Sequence, residues 1–259
     1  MIILPKKIMV FMPAYKTQST ICKVIERIPK KTMKRIKEIV VIDNNSPDQT
    51  YDVITQYKKK KNISKLKIFR NKKNLFFGGN IKAGFNYAIK HKMDIIAVLH
   101  SDGQYPSERI DELVNPIESG KAATVMGSRF LENPIKGGMP IWRYLGNIFL
   151  TKIENMLIGH SFSEWHSGYT AYSVESLRKM PFNQCENGYE LTTDILLLYI
   201  TNRFRIKEIP IPTHYGEEST SPSIKRTFLY FINSFRLAFI YFIHRIGIIR
   251  INKYRRRVK

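Results

Sequence analysis

The residues best placed to do chemistry lie in one short stretch, in which His100, Ser101 and Asp102 follow the apolar run from Ile95 to Leu99. This run has the length and β-branched content of a buried parallel strand. Ligands of open α/β sheets bind at the carboxyl ends of the strands. A carboxylate there, with Gly103 beside it, suits a divalent metal that carries a nucleotide diphosphate. The alternative is a strand followed by an ordinary turn.

Polar clusters follow other predicted strands in the same way. The first strand ends in Pro13-Ala14-Tyr15, and a second strand ends in Asp43-Asn44-Asn45-Ser46. A later strand ends in Gly127-Ser128-Arg129, and an arginine at such a place suits phosphate binding. For Asp43 the alternative is a turn that caps a helix.

Helices are predicted between these strands, for example from Thr20 to Ile28. The alternation predicts an α/β fold with a mostly parallel central sheet and helices on both faces. No GxGxxG motif follows the first strand, which argues against a dinucleotide-binding fold. A glycine-rich loop from Asn74, containing Gly79, leads into a helix predicted over Asn80–Lys90. Glycines, a helix N-terminus and Lys82 can together cradle a phosphate, although glycines often serve only a turn.

The charge is large and unevenly spread. The net charge of +22 divides into +16 over residues 1–100, −4 over 101–224 and +10 over 225–259. Basic ends around an acidic middle suggest an anionic surface or polyanion as partner, with a general lysine bias as the alternative. Cys22 and Cys185 match no metal-site or redox spacing, which indicates thiols in a reducing compartment.

The tail from Phe228 to Ile251 mixes aromatic residues with arginines and contains no acid. This composition is typical of a pair of interfacial helices on an anionic membrane, without crossing it. The alternative is a helix packed on the domain with a solvated basic end. No apolar run reaches the roughly 18 residues of a spanning helix, and the first residues do not resemble a signal peptide.

Five motifs in order resemble those of family 2 glycosyltransferases, over about residues 8–223. The stretch at Asp102 resembles the Asp-x-Asp-Gly metal motif, with His100 in place of the first aspartate. The cluster at Asp43 resembles Asp-Asp-Gly-Ser, and the Asn74 loop and Gly-Ser-Arg129 also match. The segment Ser163–Tyr172 resembles the acceptor segment of dolichyl- and polyprenyl-phosphate mannosyl- and glucosyltransferases, with Thr170 where many members have arginine.

The resemblance implies a GT-A fold, Mg²⁺ or Mn²⁺, and roles for individual residues. Asp102 and His100 would bind the metal, and the imidazole would bind it more weakly than the carboxylate. Asp102, Arg129 and Glu164 would carry catalysis, Glu164 as candidate base. The implied nucleotide-sugar contacts are Pro13, Ala14, Tyr15, Asp43, Asn44, Ser46, Asn74, Gly79, Lys82, Ser101 and Asp102, with Lys82 facing the diphosphate.

These patterns predict a catalytic domain over residues 1–223, with a nucleotide half to about 127 and an acceptor half from 128, and a membrane-associating segment over 224–259. The expected reaction is inverting transfer of a hexose from a UDP- or GDP-sugar to a polyprenyl phosphate or glycan. We expect a protein held peripherally on the cytoplasmic face of an anionic membrane. The alternatives are a catalytically impaired binding protein of this fold and, after it, a nucleic-acid-binding protein that uses the basic ends. No nucleic-acid-binding motif is visible, so nucleic acid is not an expected partner.

Overall fold

The computed structural model describes residues 5–213 and 224–258, with the backbone alone for 224–227. The strands are β1 (Ile8–Ala14), β2 (Ile36–Asp43), β3 (Leu66–Arg70), β4 (Ile95–Val98), β5 (Thr124–Ser128), β6 (Thr170–Ser173) and β7 (Ile206–Pro210). The α-helices are α1 (Ile21–Glu26), α2 (Lys30–Arg35), α3 (Thr50–Lys61), α4 (Phe76–Lys90), α5 (Ile110–Glu118), α6 (Ile141–Ile158), α7 (Val174–Arg178), α8 (Leu191–Thr201) and α9 (Ile224–Arg245).

The strands form one sheet in the order β3-β2-β1-β4-β6-β5-β7. Strand β6 runs antiparallel to both of its neighbours, β4 and β5. The remaining pairs are parallel. The predicted mostly parallel sheet is therefore confirmed. Its parallel strands β1, β2, β4 and β5 all end at the same edge, where their polar continuations meet.

Both faces of the sheet are covered, as the apolar runs require. Along β1, Met9 and Phe11 point into a core shared with α4, α7, α8 and α9. Val10 and Met12 point into a second core, formed with α1, α3 and α5. Successive side chains of a strand face opposite ways, so each strand contributes to both cores.

The glycine-rich stretch differs from the predicted loop, because α4 begins at Phe76 and takes Gly78 into its first turn. A Cβ on Gly78 would lie 2.7 Å from the Glu186 carbonyl oxygen, and the Gly78 N–H donates to Asn187 O at 2.6 Å. Further along, a Cβ on Gly84 would lie 2.6 Å from the Phe11 ring. These glycines let α4 approach its neighbours closely.

The tail contains one long helix, α9, where the sequence predicts a pair. Leu237, Ala238 and Tyr241 of α9 are buried against the domain. After a turn the chain returns to α8, where Tyr254 Oη donates to Asp194 Oδ1 at 2.6 Å and Lys253 Nζ lies 2.7 Å from Asp194 Oδ2. The tail is therefore packed on the domain and anchored there.

Within the described ranges, no helix combines the length and the apolar character needed to cross a membrane. The predicted domain boundary at residues 223 and 224 adjoins the range 214–223, which lies outside the described residues. The predicted closing segment Tyr215–Ser219 lies in the same range. The division into segments stays a prediction.

Candidate functional site

A cavity of about 690 Å³ opens at the carboxyl edge of the sheet. Its lining comes from the ends of β1, β2, β4 and β5, the start of α4, and the helices α6 and α9. The predicted site residues that line it are Pro13, Ala14, Tyr15, Asn44, Asn74, His100, Ser101, Asp102 and Arg129. The polar residues that follow the strands in the sequence thus lie together around one cavity.

The turn after β4 is tied to β1 by hydrogen bonds. Ser101 Oγ donates to Pro13 O at 3.0 Å, and Thr20 Oγ1 donates to Ser101 O at 2.7 Å. Asp102 Oδ1 accepts from the Gln104 N–H at 3.2 Å. Gly103 adopts a φ of 79°, the left-handed conformation that glycine accommodates without strain. These contacts hold the Asp102 carboxylate at the cavity wall.

His100 is half-buried beside Asp102 at the cavity wall. Its ring packs edge-on against Tyr105, with 5.1 Å between ring centroids, and lies near Phe77. Burial lowers the pKa of His100, against a smaller opposite effect of the Asp102 charge. Among the described residues its Nε2 finds no hydrogen-bond partner, and a Cβ on Gly168 would clash with it. Burial thus favours the neutral imidazole, and its Nε2 is unused among the described residues.

Asn44 joins the loops that form the wall next to β1 and β2. Its Nδ2 donates to Asn74 Oδ1 at 3.1 Å and to Phe76 O at 3.0 Å, while its Oδ1 accepts from the Leu75 N–H. These bonds fix the backbone around Asn74, which has an irregular conformation and needs side-chain partners.

Two predicted nucleotide-binding residues, Asp43 and Ser46, lie behind this wall, outside the cavity lining. Asp43 is fully buried, and both of its oxygens accept from the Ser46 N–H at 3.2 Å. Arg70 Nε lies 3.2 Å from Asp43 Oδ2, and Ser46 Oγ accepts from the Lys16 N–H. In this structure both side chains stabilise the loops, which agrees with a turn-forming role for Asp43.

Arg129 and Glu164 form a buried ion pair at the end of β5. Glu164 Oε2 accepts from the Arg129 backbone N–H at 2.9 Å, and Oε1 accepts from Nε at 2.6 Å and also from Nη2. Arg129 lines the cavity and Glu164 does not. Since its carboxylate is occupied, Glu164 orients the guanidinium here, whereas the sequence suggests a base.

Lys82 does not reach the cavity, contrary to the prediction that it faces the diphosphate. Its Nζ donates to Cys185 O at 2.7 Å, and burial lowers its pKa. The side chain leaves α4 on the face that packs on the 183–187 segment, away from the strand ends. Gly79 is also absent from the lining, and a Cβ there would lie 2.8 Å from Leu75 Cβ.

Several lining residues have no predicted role in the sequence analysis. Lys16 and Arg143 add cations, and aromatic walls come from distant segments. These additional lining residues are Lys16, Tyr105, Arg143, His166, Tyr189, Tyr230 and Phe231. Lys16 and Tyr105 had a local signal, since each lies within a few residues of a polar strand end, and His166 lies within the segment Ser163–Tyr172. The others come together through tertiary packing.

Comparison with known families decides the class of protein. The model described as glycosyl transferase family 2 matches residues 9–180, which is well over half of the chain. The chain belongs to glycosyl transferase family 2. The five motifs that suggested this family lie largely within the matched range, and the resemblance is confirmed.

Family 2 relatives with named activities match along most of their length. The UDP-N-acetylglucosamine–dolichyl-phosphate N-acetylglucosaminyltransferase of Methanococcus voltae is 26% identical over 225 residues, covering 83% of this chain and 88% of that protein. The polyprenol monophosphomannose synthase of Mycolicibacterium smegmatis is 23% identical over 211 residues, covering 80% and 77%.

Solved structures support the same fold class. The glucosyl-3-phosphoglycerate synthase of Mycobacterium tuberculosis, crystallised with Mn²⁺, UDP and phosphoglyceric acid, superposes with a TM-score of 0.65. The match has 16% identity and covers 93% of this chain and 79% of that one. Together with the family assignment, this identifies a glycosyltransferase with the GT-A fold, as predicted.

Proposed function

We propose that this family 2 enzyme transfers a hexose, with inversion, from a UDP- or GDP-linked sugar to a polyprenyl phosphate at a membrane surface. The observation that carries the proposal is the composition of the cavity. Among the described residues, Asp102 is the one acid that lines the cavity, where it lies with the cations Lys16, Arg129 and Arg143. A single carboxylate among cations suits two phosphate-bearing substrates better than neutral sugars.

The donor nucleotide fits the wall built by the ends of β1 and β2. Tyr15 is an exposed ring for a base, and Asn44 and Asn74 offer amides near it. The diphosphate would then reach towards Asp102 and Arg129. The named relatives support a nucleotide-linked donor, since one of them takes its sugar from a UDP-linked donor.

A divalent cation fits the donor set at the end of β4, although the described residues contain no group of three or more potential ligands. Mg²⁺ is commonly held by one or two carboxylates plus substrate phosphates and water. Asp102 would be the carboxylate ligand, and the unused Nε2 of His100 is available as a weaker second donor. When bound, the cation would neutralise charge on the departing diphosphate.

The ion pair of Glu164 with Arg129 favours a phosphate acceptor over a glycan hydroxyl. A hydroxyl nucleophile needs a general base, whereas a phosphate is already ionised. Glu164 is bound to Arg129 through both oxygens and does not face the cavity. The chain's own residues would therefore orient the acceptor oxygen for in-line attack at the anomeric carbon, with Arg129 and Arg143 binding its phosphate.

Membrane association is supported by two helices that also line the cavity. Helix α6 supplies Arg143 and Asn147 to the lining, and α9 supplies Tyr230 and Phe231. On their outer faces these helices expose large apolar side chains, each 44–72% exposed. They are Trp142, Leu145, Phe149 and Met156 of α6, and Phe228, Ile232, Phe235 and Phe239 of α9.

The spacing within each set puts its members on one face of the helix. Exposed cations follow α9 at Arg250 and Arg255–Arg257. Each basic residue near an anionic surface contributes about 1 kcal/mol. We therefore propose peripheral docking on the cytoplasmic face of the membrane through α6 and α9, with the acceptor entering the cavity between them.

The transfer assay combines UDP- and GDP-linked hexoses with farnesyl phosphate, farnesol or a neutral glycan, with Mg²⁺ or Mn²⁺ present. We expect a glycosylated farnesyl phosphate and no product from farnesol. Transfer to the glycan alone would contradict the lipid-phosphate acceptor. Absence of transfer and of nucleotide-sugar hydrolysis with every donor would contradict the enzyme assignment at this site.

Docking is tested separately by flotation with vesicles of varied anionic lipid content. Phe149→Ser and Phe235→Ser should each reduce the floated fraction. Phe69→Ser is the matched control, because Phe69 is 42% exposed on β3, at the far edge of the sheet. Equal flotation of all three variants would refute docking through α6 and α9.

A further inference from the structure

A buried acid, an imidazole and a phenol from three segments meet at the wall of the cavity. Glu154 lies on α6, His166 on the loop before β6, and Tyr230 on α9. His166 Nε2 is 3.0 Å from Glu154 Oε2, and His166 Nδ1 shares a very short hydrogen bond with Tyr230 Oη. His166 and Tyr230 line the cavity, and Glu154 stands behind them. None of the roles proposed above uses this cluster.

The acid is in an unusual position, because its side chain is fully buried. Within the described part of the chain, neither Glu154 oxygen accepts an aligned hydrogen bond. A buried carboxylate without donors or a countercharge is costly. The group at hand to compensate the charge is the His166 imidazole, which is itself 3% exposed.

Tyr230 is the member of this cluster that comes from α9, and it lines the cavity together with His166. Burial, followed by the charge of Glu154, raises the pKa of Tyr230 well above its usual range, so its hydroxyl keeps its proton. A phenol can donate one hydrogen bond and accept others. If His166 donates its hydrogen bond to the Tyr230 oxygen, the Tyr230 hydroxyl is left as a donor to a ligand. If His166 accepts from the hydroxyl, Tyr230 can offer a ligand only an acceptor.

We propose that Glu154 holds His166 as an imidazolium whose Nδ1–H donates to the Tyr230 oxygen, which leaves the Tyr230 hydroxyl to donate into the cavity to a phosphate oxygen of the acceptor. Both ring nitrogens of an imidazolium carry a proton, so the ring charge compensates Glu154 at 3.0 Å, without an aligned hydrogen bond, while Nδ1–H donates to Tyr230. Tyr230 is then an acceptor-binding residue, and Glu154 and His166 are positioning residues. The proposal rests on the proposed phosphate acceptor.

The arrangement makes α9 part of the acceptor site. Phe231, the next residue, lines the same cavity and packs near Gly146 of α6, where a Cβ would lie 3.2 Å from its ring. The donor-side residues at the ends of β1 and β2 belong to a different part of the lining. Substitutions at Tyr230 should therefore weaken binding of the acceptor and leave binding of the nucleotide sugar unchanged.

The test measures KM for farnesyl phosphate and for the nucleotide sugar with Tyr230→Phe and Glu154→Gln. A hydrogen bond to a charged group is lost in each, so the KM for farnesyl phosphate should rise about tenfold or more, with the donor KM unchanged. Because both variants interrupt the same chain of contacts, the double variant should resemble Tyr230→Phe alone. Tyr241→Phe is the matched control, a buried tyrosine of α9 whose hydroxyl contacts Thr201 outside the cavity.

Thermal unfolding separates positioning from simple stabilisation. In Glu154→Gln the imidazole can lose its proton, so no buried charge is left unpaired, and the melting temperature should fall less than when a buried arginine loses its partner, while the acceptor KM rises. An unchanged acceptor KM in Tyr230→Phe, with only the melting temperature altered, would overturn the proposal. A rise in the donor KM instead would show that the hydroxyl contacts the donor sugar, and would overturn it too.

Failure of the proposed function has a different signature. Calorimetric titration of farnesyl phosphate into the wild-type chain would then give no binding, and the assay would give no lipid product. Wild-type binding that Tyr230→Phe leaves intact would refute the role of the cluster alone.

Discussion

Replacing Glu164 by alanine should destabilise the protein strongly, because it strands the Arg129 guanidinium in the interior. The side chain of Glu164 is fully buried and that of Arg129 is 10% exposed. Removing one partner of a buried pair typically costs about 3–5 kcal/mol. A chain of this size loses roughly 2–4 °C of melting temperature per kcal/mol, so we expect a drop of about 6–20 °C.

The assay is urea unfolding followed by far-ultraviolet circular dichroism, with thermal unfolding in parallel. The dependence of unfolding free energy on urea should stay the same, since the surface exposed on unfolding does not change. Glu175→Ala is the matched control, because Glu175 pairs with Lys179 on the surface and its side chain is 77% exposed. That variant should lose less than about 1 kcal/mol.

A second variant separates the stranded charge from lost packing. Glu164→Leu combined with Arg129→Met leaves no buried charge, and it should recover much of the lost stability although the cavity loses its guanidinium. The reasoning is refuted if Glu164→Ala unfolds within about 1 kcal/mol of the wild type, or if the double variant is less stable than the single one.

Three further changes test other parts of the structure. Asp102→Asn should lower the transfer rate by about 100-fold or more at an unchanged melting temperature, and a rate within a few-fold of wild type would remove Asp102 from the metal-binding residues. Gly84→Ala should cost about 1–3 kcal/mol in urea unfolding, because its Cβ would lie 2.6 Å from the Phe11 ring; an equally stable variant would mean that α4 can shift. Tyr254→Phe should cost about 1.5–3 kcal/mol by removing the 2.6 Å hydrogen bond to Asp194, and no loss of stability would count against the tail anchor.

The sheet and the edge that carries the site follow from local features of the sequence. Buried parallel strands appear as short apolar runs, and each run breaks abruptly into polar residues. The runs before Pro13, Asp43 and Arg129, and the one before His100, correspond to β1, β2, β5 and β4. Because such breaks are local, they predicted which residues reach the edge without any knowledge of the packing.

The contacts that decide side-chain roles are not local, and the sequence could not supply them. Lys82 was expected at the diphosphate, yet its partner Cys185 lies 103 positions away. Tyr230 and His166 are 64 positions apart, and nothing in the composition of the tail indicates that a phenol there reaches the cavity. Glycines near residue 78 predict a loop, and only the neighbouring 186–187 backbone explains their presence in a helix.

The anchoring of Asp194 has a consequence for how the chain folds as it is synthesised. Asp194 sits in α8 with a fully buried carboxylate, and its partners Lys253 and Tyr254 follow 59 and 60 positions later. Until those residues leave the ribosome, seating α8 on the sheet would bury the Asp194 carboxylate without its tail partners, with the Glu186 N–H as a remaining donor. The strands β1–β4 can pair earlier, since the ladders that join β1 to β2 and β4, and β2 to β3, all lie before α8 in the chain. The nascent chain therefore holds paired strands β1–β4 while α8 is not yet seated, and the segment most exposed to proteases during translation is the one from α8 onward.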